Sequence, residues 1–197
     1  VGTNEVTVGN LTYISFNTSE VTNMTRTFAY CESFNNGDTK GSSNNPLNWN
    51  TTKVKNMRYM FGIYNSLETT GSYNQPMQYD NLITIGTGER KITFKAWDVS
   101  NVTEMKLMFQ NNIAFNQPIG NWNVSNVTDM YNMFYRCSAF NHPLGEWNVS
   151  NVKSTAYMFF ECSAFNQPLG KWNVSNVTDM DNMFRNTSFN HPLGEWN

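Results

Sequence analysis

Charge is scarce in this sequence. Of 197 residues, 13 are Lys or Arg and 15 are Asp or Glu, which leaves a net charge of −2 with no long run of either sign. A basic footprint for nucleic acid is therefore missing. There is no apolar run near the ~18 residues that suggest a membrane-spanning helix, so membrane attachment is expected only through an anchor outside this chain. No signal peptide is present, and the chain begins at Val1 rather than Met, so it reads as a mature chain or an excised fragment. Cysteine is rare as well. Cys31, Cys137 and Cys162 are too few for a disulfide framework. All three fall at one repeat position, ten residues after a recurring Val, and they read as small free-thiol fillers. Cys137 and Cys162 could face each other on neighbouring coils, since coil spacing resembles the ~4.8 Å of a sheet.

Catalytic patterns are also lacking. There is no Ser/His/Asp arrangement, paired-carboxylate motif, metal-ligand spacing or Gly-rich phosphate loop. His142 and His191 occupy equivalent positions two units apart, which sheet-like spacing puts about 10 Å from each other. That is too far to share a metal. The sequence is thus read as non-enzymatic, with no catalytic residue, no cofactor and no metal.

In place of charge there is Asn, with Ser and Thr, a composition that favours turns and caps over long helices. Abundant aromatics and Met argue against disorder. These residues recur with a period of 25. Val102, Val127, Val152 and Val177 are so spaced, as are Phe109, Phe134, Phe159 and Phe184, and Trp97, Trp122, Trp147 and Trp172. A period of this size indicates a stacked repeat array. Six units are entered at Val21, Val54, Val102, Val127, Val152 and Val177.

Within a unit, apolar residues recur at the Val and at +3, +6, +7, +10 and +13: Val127, Met130, Met133, Phe134, Cys137 and Phe140. That spacing predicts one face of a three-turn helix. Asn126 before the Val and Asp129 three residues later fit an N-cap with an acidic partner, repeated by Asn101 with Glu104 and Asn176 with Asp179, and more weakly by Asn151 with Ser154. Pro118, Pro143, Pro168 and Pro192 stop the helix. Trp147 and Val149 alternate as a short strand would. The predicted fold is an α/β repeat solenoid with one short strand and one short helix per 25-residue unit. Residue 155 is Thr where other units have Met, so the core should be thinner there.

Residues 1–20 read as an N-terminal capping strand, with alternation over Leu11–Phe16, ahead of a six-unit solenoid over 21–197. Insertions fall at 36–45, 62–72 and 78–96. The first is polar and turn-rich. The second regains register at Tyr73-Asn74-Gln75-Pro76-Met77. In the third, Leu82–Ile85 and Lys91–Phe94 flank Gly86-Thr87-Gly88-Glu89-Arg90 and read as a β-hairpin. The chain stops at Trp196-Asn197 within a predicted strand, an uncapped end that would offer a surface for self-association.

The string F-N-Q-P-[LI]-G-x-W-N-V-S-N-V-T-D-M-x-x-M-F-x-x-C-S-A, seen at Phe115–Ala139 and with modest changes at 140–164 and 165–189, resembles the BspA-like repeat family. That family is a distant relative of leucine-rich repeats found in mycoplasma and other bacterial surface proteins. The resemblance covers about 21–197. It implies a right-handed leucine-rich-repeat-like coil, a place on the extracellular face of the cell surface with a lipid or wall anchor as in secreted lipoproteins, and an adhesive role toward a host-surface or matrix protein. It implies no catalytic residue and no cofactor.

The near-invariant columns read as scaffold. The Trp column is core, although tryptophan faces could stack on sugars. The Met column is adaptable core. The Asn columns (116, 141, 166, 190 and 123, 148, 173) are expected to bond neighbouring coils as ladders. The N-x-S/T triplets, such as Asn101-Val102-Thr103, arise from the repeat. What varies is left for recognition: Asn121, Glu146, Lys171 and Glu195 before the Trp, and Tyr131, Tyr135, Arg136, Tyr157, Phe160 and Glu161 in the helical segment. Tyr, Phe and Arg are enriched at interfaces. These residues and the hairpin 82–94 are the expected partner-binding surface. The function expected is a non-catalytic protein-interaction and adhesion module. A carbohydrate-binding module using exposed aromatics, and a structural stalk without a ligand, are the alternatives.

Overall fold

The computed structural model describes residues 3–8, 11–39, 46–64, 69–77, 82–85 and 92–196. Parts of all three insertions (40–45, 65–68, 78–81) and the hairpin turn 86–91 lie outside the described residues.

The expected helix per unit is absent. Among the described residues there is no helix, and the only strands are four short antiparallel ones. The α/β solenoid of one helix and one strand per 25 residues is therefore wrong, and so is its leucine-rich-repeat-like coil. The segment after each Val is instead a run of tight turns. Met133, Tyr135 and Cys137 N–H groups bond back three residues, to Met130, Asn132 and Phe134 carbonyls. The alternate N–H groups, of Met130, Asn132, Phe134 and Arg136, leave the unit and bond the carbonyls of Ser154, Ala156, Met158 and Phe160 in the next one. An α-helix would have spent all of these on i−4 carbonyls. The backbone also shows why a helix cannot form. Residues +5 and +9 after the Val have positive φ in every unit except the second, where only Tyr59 does, as at Leu107 and Asn111 (64° and 58°), Asn132 and Arg136 (54° and 58°) and Tyr157 and Glu161 (both 55°). Each is the third residue of a turn closed by an i to i+3 bond, where a type II turn needs a left-handed residue. Two such turns in tandem bring +3, +6, +7 and +10 inward, the same apolar spacing that a helix face would give.

The foreseen caps take other roles. Asn101, Asn126, Asn151 and Asn176 donate their side-chain amides to carbonyls of the preceding unit (Thr52, Ser100, Ser125 and Ser150) at 2.7–2.8 Å. The Asp129 carboxylate accepts from the Tyr131 N–H at 2.8 Å and so closes the first turn. No strand forms at Trp147–Val149. Successive units meet at single parallel bridges, Asn23 to Asn56, Glu104, Asp129, Ser154 and Asp179 in order.

The six units stack in register on a continuous core. Two columns of rings run through it. Phe28, Phe61, Phe109, Phe134, Phe159 and Phe184 repeat at 5.3–5.9 Å. Phe115, Phe140, Phe165 and Phe189 repeat at 5.8–6.3 Å. The Met and Trp columns are buried between and beside them, apart from Met180 and Trp196 in the last unit. Tyr73 stacks on Phe61 at 3.9 Å, so the second unit does regain register after its insertion. Thr155 is fully buried and its hydroxyl has no partner, where neighbouring units place a thioether.

Strand β1 (Thr3–Val8) pairs with β2 (Leu11–Phe16), and β3 (Leu82–Ile85) pairs with β4 (Ile92–Lys95). The hairpin strands and Leu11–Phe16 were legible in the sequence. β1 was not, nor was its pairing with β3, which joins leader and insertion into one sheet of order β2-β1-β3-β4. Ile83 of β3 is buried in the common core and Phe94 of β4 packs against it.

Candidate interaction surfaces

The two sides of a unit are built differently, and the candidate residues divide between them. On the turn side, positions +4, +5, +8 and +9 sit at the outer corners of the tandem turns. The backbone makes the repeated unit-to-unit bonds there, which leaves most side chains free to vary, although Gln110, Asn111 and Asn132 also bond the unit before them. Tyr131 and Tyr157 meet edge to face with ring centres 6.1 Å apart, and Tyr135 stacks on Phe160 at 4.8 Å. Tyr157 also touches Phe160, at 5.7 Å, which links the pairs. Charges edge this aromatic strip. Lys106 lies over the Tyr131 ring at 5.2 Å and pairs with Asp129 at 3.4 Å. The Arg185 guanidinium lies over Phe160 at 5.5 Å. Arg136 pairs with Glu161 at 3.1 Å. The Tyr157 hydroxyl donates to Asp181, which holds that carboxyl below its ordinary range and raises the Tyr157 phenol. Lys106, Asp181 and Arg185 were missed in the sequence. They stand at the +4 and +8 positions of their own units, so comparing those positions across all six units would have found them.

On the opposite, return side, Glu146, Lys171 and Glu195 are exposed, as is Asn121 one unit earlier. Lys171 pairs with Glu146 at 2.5 Å, and this carboxylate raises the Lys171 ammonium pKa. The three charged residues line an open groove of about 530 Å³, together with Pro143, Pro168 and Pro192, the glycines that follow two residues later, and His191. Sequence order made this groove. The Pro-[LI]-Gly corner repeats in the last four units, and Gly120 and Gly145 must be glycine because an added Cβ would stand 2.5 and 2.9 Å from the carbonyl oxygen of the next unit's Pro, while at Gly170 the clearance is 3.3 Å.

The remaining columns are joints. Asn74, Asn116, Asn141 and Asn166 each accept, through Oδ1, the backbone N–H of the corresponding Asn in the next unit at 2.8–3.1 Å, a ladder begun by Asn35 and ended by Asn190. This ladder runs along the surface from Asn116 onward rather than inside. Asn123, Asn148 and Asn173 make only local turn bonds, to Ser125, Ser150 and Ser175. The indole N–H groups of Trp122, Trp147, Trp172 and Trp196 donate to carbonyls one unit back at 2.8–3.1 Å. Buried and so bonded, the Trp faces offer no sugar platform. His142 and His191 bond the Asn116 and Asn166 carbonyls at 3.1 Å. Cys137 and Cys162 are free and buried, and each Sγ donates to a Phe carbonyl; burial pushes both thiols up. Cys31 is free and exposed. Among the described residues no group of three acidic, His or Cys side chains could hold a metal, and no helix is long and apolar enough to cross a membrane.

No curated protein and no solved structure matches the chain. A family model does, that of "Mycoplasma protein of unknown function, DUF285", over residues 9–86 and again over 81–196. Matched across nearly its whole length, the chain belongs to this family.

Proposed function

We propose that this chain is a non-catalytic protein-interaction module of the BspA-like kind, displayed on the outer surface of the cell, and that it adheres to a host-surface or matrix protein. The observation that carries the reading is the turn-side strip. Tyr131, Tyr135, Tyr157 and Phe160 form a contiguous, cation-edged aromatic surface. Backbone bonds, with the Asp129 carboxylate on the Tyr131 N–H, hold the turns beneath it. Aromatic and Arg-rich surfaces of this type supply the anchors of protein interfaces. The return-side groove at Glu146, Lys171 and Glu195 is the secondary contact.

The test is binding to a panel of purified, immobilised matrix proteins. Tyr131→Ser, Tyr135→Ser and Tyr157→Ser combined should weaken capture at least about tenfold, the loss of one anchor's energy or more. Charge reversal at Glu146 and Lys171 should weaken it less. Binding unchanged in both variants would overturn the reading. A glycan-array signal lost in the Tyr variant, without any protein binding, would assign a carbohydrate ligand instead.

A further inference from the structure

A second cavity opens on the turn side, at the first three units, away from every residue the variable repeat positions of the later units pointed to. It measures about 220 Å³ and is lined by Arg26, Tyr30, Arg58, Tyr59, Tyr64, Leu107 and Gln110. The repeat explains why it exists here. The +8 position carries Gln110, Tyr135, Phe160 and Arg185 in later units, but Gly62 in the second. A Cβ on Gly62 would stand 2.5 Å from the Tyr59 ring and 2.7 Å from the Leu107 carbonyl oxygen. Glycine therefore lets the Tyr59 ring lie down against the backbone, buried, as a floor. Tyr30 and Tyr64 rise beside it, 53% and 64% exposed, with ring centres 5.6 Å (Tyr30 to Tyr59) and 6.3 Å (Tyr30 to Tyr64) apart.

The charge in this cavity is of one sign. Arg26 and Arg58 are exposed on adjacent units, joined by the bond from the Arg26 N–H to the Arg58 carbonyl at 3.0 Å. Among the described residues neither makes an ion pair, whereas Lys53, Lys106, Arg136 and Lys171 each do. Among the described residues no carboxylate lines the cavity. Glu104 is near enough to feel Arg58, but its own neighbours include Lys106 and Asp129. Arg26, Tyr30 and Tyr59 all have positive φ (59°, 65° and 58°), which turns three large side chains toward one spot.

A flat aromatic floor, two standing phenols and two guanidiniums without a partner select a ring that ends in an oxyanion. Guanidinium forks match tetrahedral oxyanions in two-point hydrogen bonds, and rings gain from offset or edge contacts with rings. The volume suits a single side chain rather than a drug-sized ligand, for which pockets begin at about 300 Å³. We propose that this cavity binds a tyrosine side chain of the protein partner carrying an O-linked sulfate or phosphate, with the ring on Tyr59 beside Tyr30 and Tyr64 and the oxyanion between Arg26 and Arg58. The inference deepens the protein-binding reading and rests on it, but on a different part of the turn side.

The experiment titrates the whole chain with three labelled five-residue peptides that differ only at a central tyrosine: sulfated, phosphorylated and plain. The result expected is saturable binding of at least one modified peptide, at least tenfold tighter than the plain one. That preference should fall at least tenfold in Arg26→Gln with Arg58→Gln, and the affinity should weaken steeply with added salt. Comparison of the two modified peptides assigns the oxyanion's source. Tyr64→Ser, at an exposed position, should weaken both without affecting folding. Equal binding of plain and modified peptides, or no effect of the double Arg variant, overturns the proposal. So does binding of sialylated or sulfated oligosaccharides in place of peptides. If matrix-protein capture persists while all three peptides fail, this site is refuted and the protein-binding reading stands. If capture fails while the modified peptides bind, the partner reading fails and the site stands.

Discussion

The turn side and the return side of each unit do the same job, joining one unit to the next, with different atoms. On the turn side the join is main chain to main chain: four N–H groups per unit, such as those of Met130, Asn132, Phe134 and Arg136, reach the next unit's carbonyls. On the return side most of it is made by side chains: the Asn ladder, the indole N–H of Trp122, Trp147, Trp172 and Trp196, and the amides of Asn101, Asn126, Asn151 and Asn176. A bond made by the backbone survives substitution of its side chain, and a bond made by a side chain does not. That difference accounts for the sequence. F-N-x-P-[LI]-G-x-W-N barely changes across the later units because most of its side chains are joints, while +4, +5, +8 and +9 run through Tyr, Arg, Asp, Gln and Phe because most of theirs are not. Variation here marks freedom from structure, and freedom from structure is where recognition can be built.

Substitutions can break this contrast. The largest effect should come from Trp147→Ala, which empties a buried core position and removes the indole bond to the Ile119 carbonyl, leaving it only the Trp122 N–H. About 3–5 kcal/mol should be lost, read from urea unfolding. Next come the corner glycines, none of which has a positive φ, so space alone decides. Changed singly to Ala, they should rank by clearance to the next Pro carbonyl: Gly120 (2.5 Å) worst, then Gly145 (2.9 Å), then Gly170 (3.3 Å), with Gly194, which meets nothing within 4 Å, unaffected. The tightest should cost about 1–3 kcal/mol, as overpacking does. A flat series would mean that the corners yield freely. Asn141→Ala removes the acceptor of the Asn166 N–H and one of the two acceptors of the Gln167 amide and should cost about 1 kcal/mol. The smallest effect concerns Asp181. Its carboxyl is held below the ordinary range by the Tyr157 hydroxyl and Asn182. The contact therefore contributes fully above the ordinary carboxylate range and is lost as pH falls through the lowered value. Asp181→Asn should slightly flatten the acid limb of the melting-temperature profile.

The parts of this architecture that depend on side-chain chemistry were legible in the sequence. The core columns, the Asn ladder at 116, 141 and 166, the stacking of units and the strands Leu11–Phe16 and Leu82–Ile85 all follow from which residues repeat or alternate. The conformation of the turn side was not. Its apolar spacing of 3, 3, 1 and 3 fits a helix face and a pair of tandem turns equally well, and positive φ at Leu107, Tyr157 or Glu161 leaves no mark in the residue type. Asn at 111, 132, 182 and 186 was the available clue, since Asn tolerates the left-handed region and is a poor helix former. The pairing of β1 with β3 was hidden because an alternating strand does not name its partner. Of the candidate surface, the half-buried aromatic strip was legible as variation. The cavity at Arg26 and Arg58 was not, because it depends on one missing side chain, at Gly62.

The claim that the turn side is a ladder of left-handed turns, indifferent to its outward side chains, is tested most directly by the unfolding free energy of Glu161→Gly. Glu161 has φ 55° and makes one partly exposed ion pair with Arg136. In a left-handed turn, glycine relieves about 1–2 kcal/mol of steric cost, offset by about 0.5–1 kcal/mol of added chain entropy and a surface ion pair worth less than about 1 kcal/mol. Stability unchanged or raised by up to about 1 kcal/mol is the result expected. A loss of about 1 kcal/mol or more, as glycine causes inside a helix, would contradict the account.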